Sequence, residues 1–214
     1  MKKGDKIKAV VFDIGGVLQL YKNPSHVKSG ASKGIHETLA RKFRRDLDSW
    51  FDAIDTPYGE AMVAGISRKK AISTISKNLG ISEAKLVKGY CKTIKRFFRK
   101  NKKLYNMAFR LKKKGYRIGI LSDQWYLSQD ALMPARDIKE FNPVIVSCDA
   151  KVKLRKPDVK IYKLLIKKLR LKADEILFVD NREYNLKPAR KMGMKVLLFK
   201  DNDKVIKELE GLLK

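Results

Sequence analysis

The stretch that decides the fold is Lys6-Ile7-Lys8-Ala9-Val10-Val11-Phe12-Asp13-Ile14-Gly15-Gly16-Val17-Leu18. Residues 7–12 are a short apolar run rich in β-branched side chains, which is typical of a buried strand. Asp13 follows directly, and Gly15-Gly16 indicates a tight loop. The pattern predicts a carboxylate at the carboxyl end of a parallel strand, where open α/β sheets bind ligands. The alternative is that Asp13 only caps the loop.

Strands and helices alternate from residue 101 to the end of the chain. Further strands are predicted at 116–121, 143–147, 176–179 and 195–199. Helices are predicted at 101–114, 126–138 with a break at Pro134, after Pro157 to 169, 185–192 and 204–213, and Pro157 suits the first turn of its helix. This alternation predicts an α/β fold, a Rossmann-like parallel sheet with helices on both faces.

Residues 35–98 carry apolar side chains at helical spacing and no strand pattern. We expect three or four helices here, with Leu39 to Phe51 in one amphipathic helix. The chain therefore divides into an α/β core domain, residues 1–19 and 99–214, and a small all-helical domain, residues 20–98.

The chain is strongly basic, with 50 Lys and Arg against 23 Asp and Glu among 214 residues, a net charge of +27. Such a field attracts anions, including nucleic acid, anionic lipid and phosphorylated small molecules. The basic residues recur on the polar faces of most predicted helices instead of forming one patch. We therefore favour a small phosphorylated partner over nucleic acid.

No apolar run is long enough to span a bilayer, and the first residues carry no signal-peptide pattern. Cys91 and Cys148 match no metal or redox spacing, so reduced thiols are expected. These features predict a cytoplasmic protein without membrane attachment, as a monomer or homodimer.

Four polar residues stand at predicted strand ends or just before helices: Asp13, Ser122, Lys156 and Asp180. Singly, each has an ordinary explanation as a cap, a turn residue or a solvated side chain. Together they would converge on the carboxyl edge of one sheet. Their chemistry suits phosphoryl transfer, which needs mainly positioning and charge neutralisation.

In this reaction Asp13 would attack phosphorus and form an aspartyl-phosphate, while Ser122 donates a hydrogen bond to the phosphate and Lys156 neutralises charge. Asp13, Asp180 and the carbonyl of Gly15 would hold Mg²⁺, which prefers oxygen ligands. The predicted catalytic residues are Asp13, Ser122 and Lys156. The predicted metal ligands are Asp13, Gly15 and Asp180. The predicted substrate-binding residues are Ser122, Asp123, Lys156 and Gly16.

Four segments resemble the motifs of the haloacid dehalogenase-like hydrolases. They are residues 10–18, residues 120–123, residues 156–158 with Tyr162, and residues 178–181 with Asn185 and Ala189. The resemblance covers nearly the whole chain. It implies a Rossmann-like core, a mobile helical cap inserted after the first strand and, as in most members, Mg²⁺-dependent phosphatase chemistry.

The sequence departs from the phosphatase pattern at two positions. Gly15 stands where most phosphatases of the family carry a second Asp as general acid and base, a role that contributes about 10²–10⁴-fold. Proton transfer would then fall to water or to a cap residue. Asn181 replaces a common second acid, while Asp123 stands where Asn is frequent.

Three functions remain open at this point. The leading one is a Mg²⁺-dependent phosphomonoesterase acting on a small metabolite, weakened by Gly15. The second is a metal-independent 2-haloacid dehalogenase, in which Asp13 attacks carbon. The third is a non-catalytic binding or regulatory module whose basic surface attracts nucleic acid. Specificity would lie in the cap and the loop after Asp13, where Gln19, Tyr21 and His26 are candidates.

Overall fold

The computed structural model describes residues 7–23 and 33–213, so His26 lies outside the described residues. The strands are β1 (Ala9–Phe12), β2 (Gln19–Tyr21), β3 (Phe98–Lys100), β4 (Arg117–Ser122), β5 (Val144–Val146), β6 (Ile176–Asp180) and β7 (Lys195–Leu198). The helices are α1 (Lys33–Lys42), α2 (Leu47–Met62), α3 (Arg68–Leu79), α4 (Glu83–Phe97), α5 (Lys102–Lys113), α6 (Tyr126–Leu132), α7 (Ala135–Ile138), α8 (Val159–Leu169), α9 (Glu183–Lys191) and α10 (Asn202–Leu212).

Five strands form one parallel sheet in the order β5-β4-β1-β6-β7. The central strand β1 pairs on one side with β4, where Val11 faces Gly119, and on the other with β6, where Val11 faces Phe178. The strand order reverses next to β1, so the carboxyl ends of β1 and β6 meet at the topological switch point. The predicted α/β Rossmann-like core is confirmed.

Helices cover both faces of this sheet because successive strand residues point to opposite sides. Val10 and Phe12 are fully buried in a cluster that includes apolar residues of α5 and α10. Ala9 and Val11 are fully buried in a second cluster with apolar residues of α8 and α9. A strand buried on both faces explains why β1 is a continuous apolar run instead of an alternating one.

Helices α1 to α4 follow one another between β2 and β3. Their apolar faces share one buried cluster with the first face of the sheet. Phe43 stacks on Trp50 with ring centroids 5.8 Å apart and an interplanar angle of 11°. None of the helices in the described part of the chain combines the length and apolar character needed to cross a bilayer.

Two details of the helical region differ from the sequence prediction. The helix predicted from Leu39 to Phe51 is wrong, because α1 and α2 are separate. Arg44 lies between them at φ 56°, and Asp46 begins α2 by accepting a hydrogen bond from the Ser49 amide at 2.8 Å. The antiparallel pair of β2 and β3 was not predicted from the sequence, because each strand has only three residues and their pairing joins distant segments.

Pro157 also differs from its predicted place. Helix α8 begins at Val159, and the Asp158 carboxylate caps it by accepting from the Lys160 amide at 2.8 Å. Pro157 therefore lies before the N-cap and not in the first helical turn.

Two helical glycines provide a test of this packing. A Cβ at Gly89 in α4 would lie 2.7 Å from Phe43 of α1, whereas a Cβ at Gly59 on the exposed side of α2 would meet no atom within 4 Å. Gly59→Ala should raise the free energy of unfolding by about 0.5–1 kcal/mol through helix propensity. Gly89→Ala should lower it by about 1 kcal/mol, because overpacking outweighs the same gain. Chemical denaturation measures both, and equal stabilisation by the two variants would contradict this helix contact.

Candidate active site

Asp13 lies at the carboxyl end of β1 and is held there by the sheet. Its amide donates to the Val179 carbonyl of β6 at 3.0 Å, and its residue surface is 7% exposed. The loop then turns at Gly16, which has φ +81° and whose amide donates to the Gln19 carbonyl at 2.7 Å. A Cβ at Gly16 would lie 2.3 Å from Asn181 Nδ2. Glycine is therefore required both for the turn and for the approach of this loop to Asn181.

Lys156 is a buried cation between two carboxylates. Its Nζ lies 2.6 Å from Asp180 Oδ2 and 3.1 Å from Asp13 Oδ1. Its backbone amide donates to Asp123 Oδ1 at 3.0 Å. Asp13, Lys156 and Asp180, three of the four residues expected to converge, thus meet at the carboxyl edge of the sheet, and Asp123 lies beside them.

Asp180 is fully buried and accepts hydrogen bonds through both carboxylate oxygens. Its Oδ1 accepts from the Arg182 amide at 2.8 Å, and Asn185 Nδ2 lies 3.2 Å and 3.0 Å from Oδ1 and Oδ2. The Tyr162 hydroxyl in turn donates to the Asn185 carbonyl at 2.6 Å. These contacts fix the orientation of the Asp180 carboxylate toward Lys156.

The shifted pKa values follow from this arrangement. Burial raises the pKa of Asp13 from 3.8 to about 6, opposed by the charge of Lys156 and the hydroxyl of Ser122 and reinforced by Asp180. Burial alone would lower the pKa of Lys156, but Asp13, Asp180 and Asp123 raise it above its usual value. Lys156 is therefore protonated throughout the physiological pH range. The pKa of Asp13, about 6, lies just below that range.

Ser122 is fully buried at the end of β4, beside Asp13. Its Oγ accepts from Gln124 Nε2 at 3.0 Å. The Gln124 amide donates to Ser147 Oγ at 3.0 Å, which joins this loop to the residue after β5. Burial raises the pKa of Asp123, and the charge of Lys156 opposes this shift.

A cavity of about 360 Å³ opens over this edge of the sheet. Its lining residues include Asp13, Gly15, Asp123 and Lys156 from the sheet edge, Arg155 and Arg182 from the adjoining loops, Tyr184 and Asn185 from the first turn of α9, and His36, Tyr58, Met62, Tyr90 and Ile94 from the helices α1, α2 and α4. Three of the predicted site residues lie behind the residues that line the cavity: Ser122, Gly16 and Asp180. They support it without lining it.

The two described specificity candidates have different positions. Tyr21 lines the cavity, with its ring centroid 4.4 Å from that of Phe98. Gln19 does not, because its Nε2 donates to the buried Leu132 carbonyl at 2.9 Å. Sequence analysis gave no role to His36, Tyr58, Tyr90, Arg155 or Arg182. The three helical residues lie in the stretch whose apolar spacing suits core packing, and nothing distinguishes the two arginines from the other basic residues, so the sequence offered no specific signal for either group.

The side-chain atoms at this site that could bind a metal ion are mainly oxygens. Asp13 Oδ1, Asn181 Oδ1 and Asn185 Oδ1 are buried and accept no hydrogen bond from any described residue. Within residues 7–23 and 33–213 there is no group of three His, Cys, Asp or Glu side chains arranged for a metal. Mg²⁺ binds through one or two carboxylates with several waters, so this donor set fits Mg²⁺ and suits softer metals poorly.

The model of the haloacid dehalogenase-like hydrolase family matches residues 61–199, more than half of the chain. The chain belongs to this family of hydrolases.

Relatives of several kinds are similar in sequence. Bifunctional epoxide hydrolase 2 of Rattus norvegicus is 36% identical over 115 residues, 51% of this chain and 20% of that protein. The Mus musculus protein of the same name is 27% identical over 95% of this chain and 38% of its own length. Glyceraldehyde 3-phosphate phosphatase of Pyrococcus abyssi is 32% identical over 44% of this chain and 40% of that one. The matched segments thus cover 20%, 38% and 40% of the length of these relatives.

Solved structures share the fold over nearly the whole chain. A predicted HAD-like family hydrolase from Porphyromonas gingivalis has a TM-score of 0.72 at 20% identity and covers 97% of this chain and 98% of its own. A HAD family enzyme from Bacteroides thetaiotaomicron, in complex with magnesium and inorganic phosphate, has a TM-score of 0.65 at 18% identity, with 91% and 94% covered. The L-2-haloacid dehalogenase from Xanthobacter autotrophicus has a TM-score of 0.55 at 19% identity, with 96% and 83% covered. At these identities the likeness shows the fold alone.

The raised pKa of Asp13 predicts a pH effect on stability. The folded protein holds this proton up to about pH 6, whereas the unfolded chain loses it near pH 3.8. Between these values the native state binds more protons, so the contribution of Asp13 to the free energy of unfolding falls as the pH rises. In metal-free buffer, the unmodified protein should lose stability from pH 4 to 6 relative to Asp13→Asn, which lacks the titrating group. Urea unfolding of both proteins measures the difference, and parallel pH profiles would contradict the raised pKa.

Proposed function

We propose that this hydrolase is a Mg²⁺-dependent phosphomonoesterase in which Asp13 is the nucleophile. The observation that carries the proposal is the Asp13-Lys156-Asp180 ion-pair group beside a cavity of about 360 Å³. The buried oxygens Asn181 Oδ1 and Asn185 Oδ1 support it, because they accept no hydrogen bond from any described residue, and Asp13 Oδ1 has only the Lys156 ammonium beside it.

Asp13 begins the proposed reaction by attacking the phosphorus atom of a bound ester. A bond forms between its carboxylate oxygen and phosphorus, and the bond from phosphorus to the ester oxygen breaks, so that this oxygen leaves as an alkoxide and takes a proton from water. Lys156, held 3.1 Å from Asp13 Oδ1, keeps this carboxylate oriented and neutralises charge on the transferred group. Water then attacks phosphorus in the aspartyl-phosphate, which releases inorganic phosphate and restores the Asp13 carboxylate.

Asp13, the Gly15 carbonyl and Asp180 would hold the Mg²⁺ ion, with Asn181 Oδ1 available nearby as a further oxygen. The ion would supply positive charge to the phosphate oxygens. Ser122 does not line the cavity. Its hydroxyl accepts from Gln124 and lowers the pKa of Asp13, so its proposed role is to position these two side chains.

The substrate we propose is a small phosphorylated metabolite. Residues 20–98 would form a cap over residues 1–19 and 99–214, with α1, α2 and α4 supplying the upper wall of the cavity. The net charge of +27 would raise the local concentration of such an anion. The similarity to a protein named as a phosphatase, and the fold shared with an enzyme crystallised with magnesium and phosphate, are consistent with this choice.

Removal of the nucleophile or of the metal tests the proposal. Asp13→Asn keeps the size of the side chain but removes its charge and nucleophilicity, so release of phosphate from a panel of monoesters should fall by about 10³-fold or more. Chelation of Mg²⁺ should abolish the same activity, and added Mg²⁺ should restore it. Turnover that survives both changes would contradict the proposal.

Gly15 allows a test that predicts a gain of activity. A Cβ at this half-buried position would meet no atom within 4 Å, and Gly15 lines the cavity. Gly15→Asp should therefore place a carboxyl where it can protonate the leaving group, and kcat should rise by about tenfold or more. Gly15→Ala adds the Cβ without the acid and is the control. An equal effect of both variants would show that proton transfer does not limit the reaction.

A second candidate, dehalogenation of a 2-haloacid, is favoured by Gly15 alone. A halide leaves without a proton, so Asp13 could attack carbon with no acid at residue 15. Halide release that is unaffected by chelation, with no phosphatase activity, would select this reaction.

A further inference from the structure

Among the apolar side chains that the helices contribute to the cavity lining are three hydrogen-bond donors that have no described acceptor. They lie on three different helices: His36 on α1, Tyr58 on α2 and Tyr90 on α4. We call these three residues the donor wall. Their rings adjoin, because the Tyr58 centroid lies 6.1 Å from that of His36 and 5.2 Å from that of Trp125, which in turn lies 4.8 Å from Tyr90.

A tryptophan fixes which atom of His36 carries its proton. Trp50 Nε1 lies 2.9 Å from His36 Nδ1, and His36 is 8% exposed. An indole N–H can only donate, so Nδ1 accepts and is unprotonated. Burial lowers the pKa of His36, and the charge of Asp55 opposes this shift. Because the pKa is lowered, the ring is neutral. The proton is therefore on Nε2, which donates to no described residue.

Tyr90 is anchored in the same way. Trp125 Nε1 donates to the Tyr90 hydroxyl oxygen at 2.7 Å, so the hydroxyl proton must point elsewhere. Burial raises the pKa of Tyr90 well above its ordinary value, so this proton is retained at neutral pH. Among the described residues, no acceptor takes it.

Tyr58 connects this wall to two arginines at the cavity mouth. Its hydroxyl makes no hydrogen bond to a described residue. The charges of Arg155 and Arg182 both lower the pKa of Tyr58 against the effect of burial, so both guanidinium groups lie within electrostatic reach of one hydroxyl. Neither arginine has an ion-pair partner within the described ranges, although Arg182 Nη1 donates to the Tyr184 hydroxyl at 2.5 Å.

The upper part of the cavity thus offers donors and positive charge, and its only described carboxylates, Asp13 and Asp123, lie at the sheet edge. Three fixed donors suit a planar carboxylate, whose two oxygens accept about four hydrogen bonds. The three donors are neutral, so they suit the single charge of a carboxylate better than the two charges of a second phosphate, and only Arg155 and Arg182 add positive charge nearby. The volume of about 360 Å³ limits the substrate to a small molecule.

Building on the phosphomonoesterase function above, we propose that the organic part of the substrate carries a carboxylate, bound by His36, Tyr58 and Tyr90 and attracted by Arg155 and Arg182. The donor wall then determines specificity, while Asp13 and Lys156 act on the phosphoryl group at the opposite end of the same cavity.

Three phosphate esters with similar chain lengths test this inference: propyl phosphate, hydroxypropyl phosphate and carboxyethyl phosphate. The kcat/KM for carboxyethyl phosphate should exceed that for propyl phosphate by about 10–100-fold, as expected for hydrogen bonds to a charged group. Tyr58→Phe and Tyr90→Phe should each reduce this ratio by about tenfold. Tyr58→Phe is the cleaner variant, because it leaves no other described group without a partner.

Tyr105→Phe is the matched control, since it removes a buried, unpartnered hydroxyl from a tyrosine that does not line the cavity. It should leave the ratio unchanged. A ratio near one in the unmodified protein, or a ratio that the Tyr58 and Tyr90 variants do not alter, would overturn the inference. A propanediol bisphosphate preferred over carboxyethyl phosphate would also overturn the assignment to a carboxylate.

Calorimetric binding of the same three esters to Asp13→Asn separates the two proposals. Preferential binding of carboxyethyl phosphate without turnover in the unmodified protein would support the donor wall and contradict the phosphatase function. Turnover of all three esters without preferential binding would support the phosphatase and overturn the donor wall.

Discussion

The ammonium group of Lys156, buried between Asp13 and Asp180, is the interaction on which the rest of this structure depends. It joins the end of β1, the loop before α8 and the end of β6 through contacts of 3.1 and 2.6 Å. Burial of two carboxylates is unfavourable unless a cation accompanies them, and loss of one partner from such a group costs about 3–5 kcal/mol. The pairing of β1 with β6 therefore determines where the two carboxylates lie, and Lys156 in turn stabilises that pairing.

This ion-pair group contains more negative than positive charge, which a ligand could offset. One lysine compensates two carboxylates, and several buried oxygens around them remain without donors. The pKa of Asp13 near 6 reflects the same balance, because burial favours the neutral acid while Lys156 favours the carboxylate. A divalent cation would bind these oxygens and offset the excess negative charge that one lysine leaves on two carboxylates.

The sheet, and the carboxylates at its carboxyl edge, could be predicted from sequence because their signals are local. A continuous apolar run followed by Asp13 specifies both a buried strand and the position of its carboxylate, and Asp180 repeats that pattern at the end of β6. The break at Arg44 could not be predicted in this way, since a non-glycine residue with positive φ carries no sequence signal. The pairing of β2 with β3 depends on segments almost eighty residues apart in the chain.

The donor wall was missed for a related reason. His36, Tyr58 and Tyr90 occur at helical spacings that also suit core packing, and only tertiary structure distinguishes the two uses. The free proton of His36 depends on Trp50, which lies on another helix. Ser122 stands at a predicted site position but does not line the cavity, and sequence alone cannot distinguish a residue that faces a site from one that lies beneath it.

The most direct test of the central claim is to stop the reaction with acid during turnover and analyse the peptide that contains Asp13 by mass spectrometry. We expect this peptide to gain the mass of one phosphoryl group, to lose it again as substrate is exhausted, and to show no gain in Asp13→Asn. Phosphate release without a phosphorylated Asp13 peptide, or with the phosphoryl group on another residue, would contradict the account of Asp13 as the nucleophile.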